Sequence, residues 1–298
     1  LETLTNCPTC QNTAFQDFLT VEDYTVSHEK FSIQKCISCE FLFTNPRPSE
    51  TEIGKYYESQ DYISHHDDSE NLMSRVYTSV RDFTIQQKIK LINKHANRKG
   101  NLLDIGSGTG AFASAIKNDG WNVYGTEPDS GARKVASERI GDTVFEDIYQ
   151  SQLSTRTFQT VTMWHVLEHV HRLNETLDWL YQHLETEGLL VVAVPNPESA
   201  DASKFNKHWA AYDVPRHLYH FTKSTMKLLM TNHGFEVKQT LPMWFDSFYV
   251  SMLSTKYQQS KINLVDSILT GLSSNLKGRS SGSKEINTSS IIYIIKKK

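Results

Sequence analysis

"LLDIGSGTGAFA", residues 102–113, is the stretch whose reading decides the fold. Its apolar opening reads as a buried strand that carries Asp104, and the strand runs straight into Gly106, Gly108 and Gly110. From Ala111 onward the apolar residues recur at helical spacing. Glycines at such a bend let the backbone turn sharply and approach a ligand, and the start of the following helix offers free N–H groups. With Ala111 the loop also fits the dinucleotide pattern G-x-G-x-x-A, so the glycines alone do not choose the ligand. Asp104 does. A carboxylate this close favours a cationic ligand and repels a pyrophosphate, which disfavours an NAD(P)-dependent oxidoreductase.

Outward from the loop, strands and helices alternate. "NVYGT" (122–126), "TVF" (143–145), "TVTMW" (160–164) and "LLVVAVP" (189–195) read as strands, while "SGARKVASER" (130–139) and "NETLDWLYQHL" (174–184) read as helices. Continuous apolar strands in such an order indicate an α/β fold: a parallel sheet with helices on both faces and ligand groups at the carboxyl ends of the strands. A helix from about Thr222 stops before Gly234, and the strands "FEVKQTL" (235–241) and "IIYII" (291–295) follow. On the N-terminal side, Leu72, Val76, Val80, Ile85, Ile89 and Ile92 recur at helical spacing, so residues 70–96 read as one long or broken helix covering the core. The expected organisation is a small module at 1–48, a helical connection at 49–97, and the main domain at 98–298 with a helical insertion at about 246–288. The aromatic and apolar residues of that insertion point to plain packing, and the Ser/Gly/Lys-rich stretch 273–290 reads as a mobile loop.

The chain of 298 residues is 38% apolar and 22% charged, enough to bury one large core and an accessory one. A formal net charge of −3 exerts no general pull on nucleic acid or anionic lipid, so neither is an expected partner. The opening "LETLTNCPTC" lacks the order of a signal peptide, and "SSIIYIIKKK" suits a buried strand better than a membrane anchor. A cytoplasmic protein is the expectation. In that compartment Cys7-x-x-Cys10 and Cys36-x-x-Cys39 read as a closed, tetrahedral, four-cysteine zinc ribbon of structural character.

The motifs in order resemble the class I S-adenosylmethionine-dependent methyltransferases, in particular the methyltransferase type 11/23 group, from about residue 98 to 195. "LLDIGSGTG" is similar to the family's first motif, Glu127 of "TEPDS" to its ribose-binding acid, and Asp147 and Ile148 of "FEDI" to its adenine-flanking pair. Gln159 stands where the fourth strand usually has aspartate, and "EGLLVVAVPN" is similar to the fifth strand. The resemblance implies a Rossmann-like seven-stranded sheet behind the zinc ribbon, with S-adenosylmethionine as cofactor. It also implies a binding set of Asp104, Gly106, Ser107, Gly108, Gly110, Glu127, Pro128, Asp147, Ile148, Trp164 and His165. The expected reaction is methyl transfer to a small molecule. A zinc ribbon ahead of the methyltransferase domain resembles sugar C-methyltransferases acting on nucleotide-linked deoxysugars. The rival from another class is a cofactor-binding regulator without catalysis.

"MWHVLEHVH" (163–171) supplies the chemistry-bearing residues. His165 falls at the mouth of the fourth strand as a pocket residue and candidate base, and Glu168 with His169 is expected in the first turn of the next helix, where an acid complements the dipole. A related set of O-methyltransferases binds a divalent ion through E-x-x-E-H; here the pattern is H-x-x-E-H, with His217 and His220 downstream, and the missing carboxylate weakens a hard-metal site. That leaves a metal-assisted O-methyltransferase of a phenolic or hydroxyl acceptor as the alternative. In "KHWAAYDVPRHLYHFT" (207–222), His217 is the better candidate base, with Arg216, Tyr219 and Tyr62 expected to hold the acceptor.

Overall fold

The computed structural model describes residues 1–58, 72–259, 269–275 and 286–298, with the side chains of 72–79 excepted. Tyr62 and most of the stretch expected to be a mobile loop lie outside the described residues.

Three short strands open the chain: β1 (Phe15–Glu22), β2 (Lys30–Cys36) and β3 (Leu42–Thr44). Helix α1 (Leu72–His95) leads to β4 (Asn101–Ile105), α2 (Ala111–Asn118), β5 (Asn122–Thr126), α3 (Ser130–Ile140) and β6 (Val144–Phe145). Next come α4 (Ser151–Ser154), β7 (Phe158–Trp164), α5 (Leu173–His183), β8 (Leu184–Pro195) and α6 (Ala200–Phe205). The last elements are β9 (Tyr219–His220), α7 (Lys223–Asn232), β10 (Phe235–Pro242), α8 (Asp246–Gln259) and β11 (Ser290–Lys297).

Seven strands form one sheet in the order β10-β11-β8-β7-β4-β5-β6. The β8, β7, β4, β5 and β6 neighbours are parallel, and β11 runs antiparallel between β8 and β10. Alternate residues face opposite sides of a strand, and here both sides are buried. Leu190, Val192 and Val194 of β8 pack with Leu103 and Val161 against Leu173, Leu177 and Leu180 of α5. Leu189, Val191 and Ala193 pack on the other face with Leu102, Phe112, Ile116 and the α1 stripe Ile85, Ile89 and Ile92. That double cover is why β8 reads as an unbroken apolar run. Among the described residues, no helix is long and apolar enough to cross a membrane.

The structure departs from the sequence expectation at three places. Glu168 and His169 do not open an α-helix: they sit in a 3-10 turn, Leu167–His169, and α5 begins only at Leu173. The cysteine-bearing strands complete their sheet with β9, in the order β1-β2-β3-β9, pairing Leu42 with His220 and Phe43 with Tyr219. A strand of three residues such as β3 exposes unpaired backbone groups unless another segment satisfies them, and the 207–222 loop does so. Finally, α8 turns its aromatic Tyr249 outward and buries Ser247, Ser251, Ser254 and Thr255. The Ser254 and Thr255 hydroxyls donate to Val250 O and Ser251 O within the helix, and Ser254 Oγ accepts from the Ala210 amide at 2.8 Å. Small hydroxyl side chains let the helix approach the 210 turn more closely than rings would.

Candidate active site

Strand β4 has β5 on one side and β7 on the other, so the chain reverses direction across the sheet at β4 and leaves a crevice beyond its carboxyl end. Asp104 lies in β4 opposite Thr162 of β7, is 2% exposed, and accepts a 2.6 Å hydrogen bond from Thr162 Oγ1. Burial raises its pKa, against the pull of the Thr162 hydroxyl and the Lys88 ammonium, to about 7. Glu127, just past β5, accepts from the Gly108 amide (Oε2, 2.8 Å) and the Asp129 amide (Oε1, 3.0 Å), which ties the acid to the glycine loop. Gly110 has φ +77° and lies so close to α3 that an added Cβ would meet Ala136 Cα at 2.9 Å. Gly108, also at positive φ, has nothing within 4 Å of that point: the loop turns its bare side to open space.

The other residues expected at the cofactor fall around this crevice. Ser107 Oγ donates to Thr126 O at 3.3 Å, Gly106 follows β4, and Pro128 O accepts from Arg133. Asp147 and the buried Ile148 follow β6, the strand beside β5. Trp164 ends β7 with its ring edge-on to Phe112, the centroids 5.8 Å apart.

His165 adopts φ +57°, a conformation rare for a side-chain-bearing residue and held here by surrounding contacts. Its Nε2 is 2.7 Å from Asp246 Oδ2 and its Nδ1 is 3.3 Å from Glu168 Oε1. Burial alone would lower its pKa, but Asp246 and then Glu168 outweigh it and push it up to about 10. An imidazolium with a carboxylate at each nitrogen has no lone pair to accept a proton. The geometry therefore speaks against His165 as a base and leaves it a fixed cation in the pocket wall.

His217 is placed differently. It is 8% exposed, and its Nδ1 lies 2.9 Å from Ala211 O. A carbonyl only accepts, so Nδ1 carries the proton and Nε2 keeps its lone pair. Likewise His169 Nδ1 donates to Arg216 O at 3.0 Å, with the Tyr57 hydroxyl also at 3.0 Å from that nitrogen. The two rings meet edge to face at 4.6 Å between centroids. Glu168 completes the group: it is 0% exposed, its Oε1 pairs with His165 Nδ1, and its backbone carbonyl accepts from Leu218 N at 2.8 Å. One potential ligand atom from each of Glu168, His169 and His217 lies within 4.8 Å of the others. The structure thus assembles Glu168, His169 and His217, whereas the sequence pattern grouped His165 with Glu168 and His169.

Arg216 and Tyr219, expected to hold the acceptor, have their polar groups engaged within the fold. Arg216, 2% exposed, pairs with Asp23 (3.0 Å) and Asp213 (2.6 Å) and donates to Tyr56 O, while Tyr219 OH accepts from Arg47 and donates to His171 O. Both serve the junction between the cysteine-bearing strands and the main domain. At the far end of that junction none of the four cysteines is in a disulfide, with Cys7 Sγ 3.5 Å from Cys39 Sγ and Cys10 Sγ 3.5 Å from Cys36 Sγ. These spacings are near the ~3.8 Å edge of a tetrahedron built on 2.3 Å metal–sulfur bonds.

Lys88 and Asp246 were not singled out from sequence. Asp246 has no local signal, because only folding carries the α8 insertion to β7. Lys88 had one: it interrupts the apolar stripe Ile85, Ile89, Ile92 of α1.

The elevated pKa of Asp104 sets a pH dependence. Below about pH 7 the acid is protonated, so a cationic ligand that paired with it would bind only after that proton is lost. Affinity for S-adenosylhomocysteine is expected to be about tenfold weaker at pH 6 than at pH 8, and to lose that slope in Asp104→Asn. Calorimetry at the two pH values measures it; a wild-type profile as flat as that of the variant would refute the protonation.

Residues 62–240 match the family model described as a methyltransferase domain. An uncharacterized methyltransferase of Geobacillus thermodenitrificans is 27% identical over 164 residues, covering 50% of this chain and 75% of the relative. One of Anoxybacillus flavithermus is 28% identical over 163 residues, covering 50% and 76%. Among solved structures, geranyl diphosphate methyltransferase in complex with S-adenosylmethionine superposes with a TM-score of 0.51 at 12% identity, covering 80% of this chain and 95% of that one. That likeness concerns the fold.

Proposed function

The chain belongs to the methyltransferase-domain family and uses S-adenosylmethionine; from that premise we propose that its acceptor is a sugar or nucleotide-linked sugar, methylated at an atom that gives up a proton. The observation that carries the reading is His217, whose Nε2 lone pair is fixed by the Nδ1–Ala211 hydrogen bond within a buried group of Glu168 and His169. When bound, S-adenosylmethionine supplies the methyl group as a sulfonium electrophile. Asp104 would hold its ammonium and Glu127 its ribose hydroxyls. His217 Nε2 would take the proton that the acceptor gives up as the methyl group is transferred to it. Asp213 Oδ2, 4.0 Å from that nitrogen, and the Glu168 carboxylate stabilise the resulting imidazolium. The charged and polar side chains beyond β7, His165, Glu168 and Asp246, suit a hydroxylated acceptor better than an apolar one, and the ribbon-first domain order supports a nucleotide-linked sugar. The four thiols hold a structural zinc ion.

One observation favours a second reading. Glu168 is buried, and a carboxylate oxygen of it lies within 4.8 Å of a ring nitrogen of both His169 and His217, a donor set of one carboxylate and two imidazoles that fits a divalent transition metal. There Glu168, His169 and His217 would be the ligands, and the ion would act as a Lewis acid on an acceptor oxygen.

Transfer from a labelled methyl donor to a panel of nucleotide-linked sugars, phenols and amines tests the acceptor class; label appearing only on phenols or amines refutes it, and no transfer at all favours the regulator. Calorimetry is expected to show binding of S-adenosylmethionine and S-adenosylhomocysteine but not NAD, and Glu127→Ala to cost about 1.5–3 kcal/mol of that binding. NAD binding alone would remove the assignment of the glycine loop.

A further inference from the structure

The methyl donor carries a carboxylate as well as an ammonium on its amino-acid end, and neither Asp104 nor Glu127 can hold the former. Being bonded to the same carbon as the ammonium, that carboxylate must lie within about one side-chain contact of the Asp104 position. It needs a cation there. His165 is already matched by Asp246 and Glu168, and Arg133 donates to Glu127 O and Pro128 O. Lys88 is different. Its Nζ stands 4.3 Å over the Trp164 ring and 5.9 Å from the Phe112 ring, between the end of β7 and the first turn after the glycine loop. Among the described residues no carboxylate comes within the 4.0 Å of an ion pair with it, and it makes no hydrogen bond. Two rings hold the ammonium by their faces, and the half-buried stem leaves α1 beside the buried Ile85 and Ile89. An ammonium in so dry a place has its pKa lowered by burial, with Asp104 and Asp246 opposing from beyond contact distance.

We infer that Lys88 is the counter-charge for the α-carboxylate of the methyl donor, so that α1 closes the amino-acid end of the cofactor site from outside the sheet. The assignment rests on the cofactor reading above and adds a binding residue to it. The lysine then separates complete methyl donors from adenosyl thioethers that lack the carboxylate, since a desolvated cation left without an anion penalises the wrong ligand.

The test is calorimetry of wild type, Lys88→Met and Lys88→Arg with two probes, S-adenosylhomocysteine and its decarboxylated amine analogue. Methionine keeps the stem against Trp164 and Phe112 and removes the charge. Lys88→Met is expected to weaken S-adenosylhomocysteine by about 10- to 100-fold while leaving the decarboxylated analogue within about twofold, and Lys88→Arg to keep most of the affinity. Unchanged binding of the analogue also shows that the variant is folded. Equal losses for both probes would make Lys88 a packing residue and overturn the assignment, as would no loss for either. Wild-type protein that bound neither probe would overturn the cofactor reading together with it.

Discussion

His217→Ala is expected to lower turnover by about 10²-fold or more while leaving S-adenosylhomocysteine affinity nearly unchanged, because a positioned general base contributes roughly 10² to 10⁴ and this one does not touch the cofactor acids. The expectation follows from three contacts: Nδ1 spent on Ala211 O, Nε2 left with its lone pair, and Asp213 placed to stabilise the charge that arrives. His165→Ala should behave otherwise, weakening cofactor or acceptor binding more than the chemical step, since its imidazolium is engaged by Asp246 and Glu168. Steady-state kinetics with calorimetry on both variants separates the two roles. If Glu168, His169 and His217 instead hold a metal, His169→Ala should fail as completely as His217→Ala. A chelator that spares the thiolate site would then abolish activity, and Mg²⁺ or Mn²⁺ would restore it. That result would replace the base by the cation; insensitivity to the chelator with a large His217→Ala defect would retain the base.

Cys36→Ser is expected to give a protein that still binds S-adenosylhomocysteine but has lost most of its turnover, with about one zinc ion per chain in wild type and none in the variant. The cofactor crevice is built from β4, β5 and β7, which owe nothing to the thiolates. The His217 segment owes them much. Thr44 Oγ1 donates to His217 O at 2.7 Å, Thr44 N donates to Leu218 O, β3 pairs with β9, and Arg216 reaches Asp23 across the junction. Loss of the metal releases β3, strands a nearly buried Arg216 charge at a cost of about 3–5 kcal/mol, and frees the loop that orients His217. Metal analysis, calorimetry and a turnover assay on the same preparations check it. Wild-type turnover in zinc-free Cys36→Ser would refute the coupling, and cysteines recovered as disulfides without metal would refute the zinc site.

The cofactor half of this protein was readable from sequence because its chemistry is local. Asp104 and the glycines share one strand-loop-helix turn, Glu127 directly follows the next strand, and the doubly buried β8 announces itself by an unbroken apolar run from Leu189 to Val194. The cysteine pairs were readable for the same reason, since each C-x-x-C turn brings its own two sulfurs together. Tertiary structure alone decided the rest. Whether a histidine is a base or a cation depends on what lies beside each ring nitrogen, and those neighbours come from distant segments: Asp246 from an insertion for His165, and Ala211 O from a buried turn for His217. Arg216 looked like an acceptor ligand in "PRHLYH" because an exposed arginine and one buried between Asp23 and Asp213 have the same letters around them. Lys88 shows the limit most directly. Its place in an apolar stripe is visible in the sequence, but only the fold of α1 over Trp164 and Phe112 brings its charge to a site whose other parts lie in β4, β5 and β7.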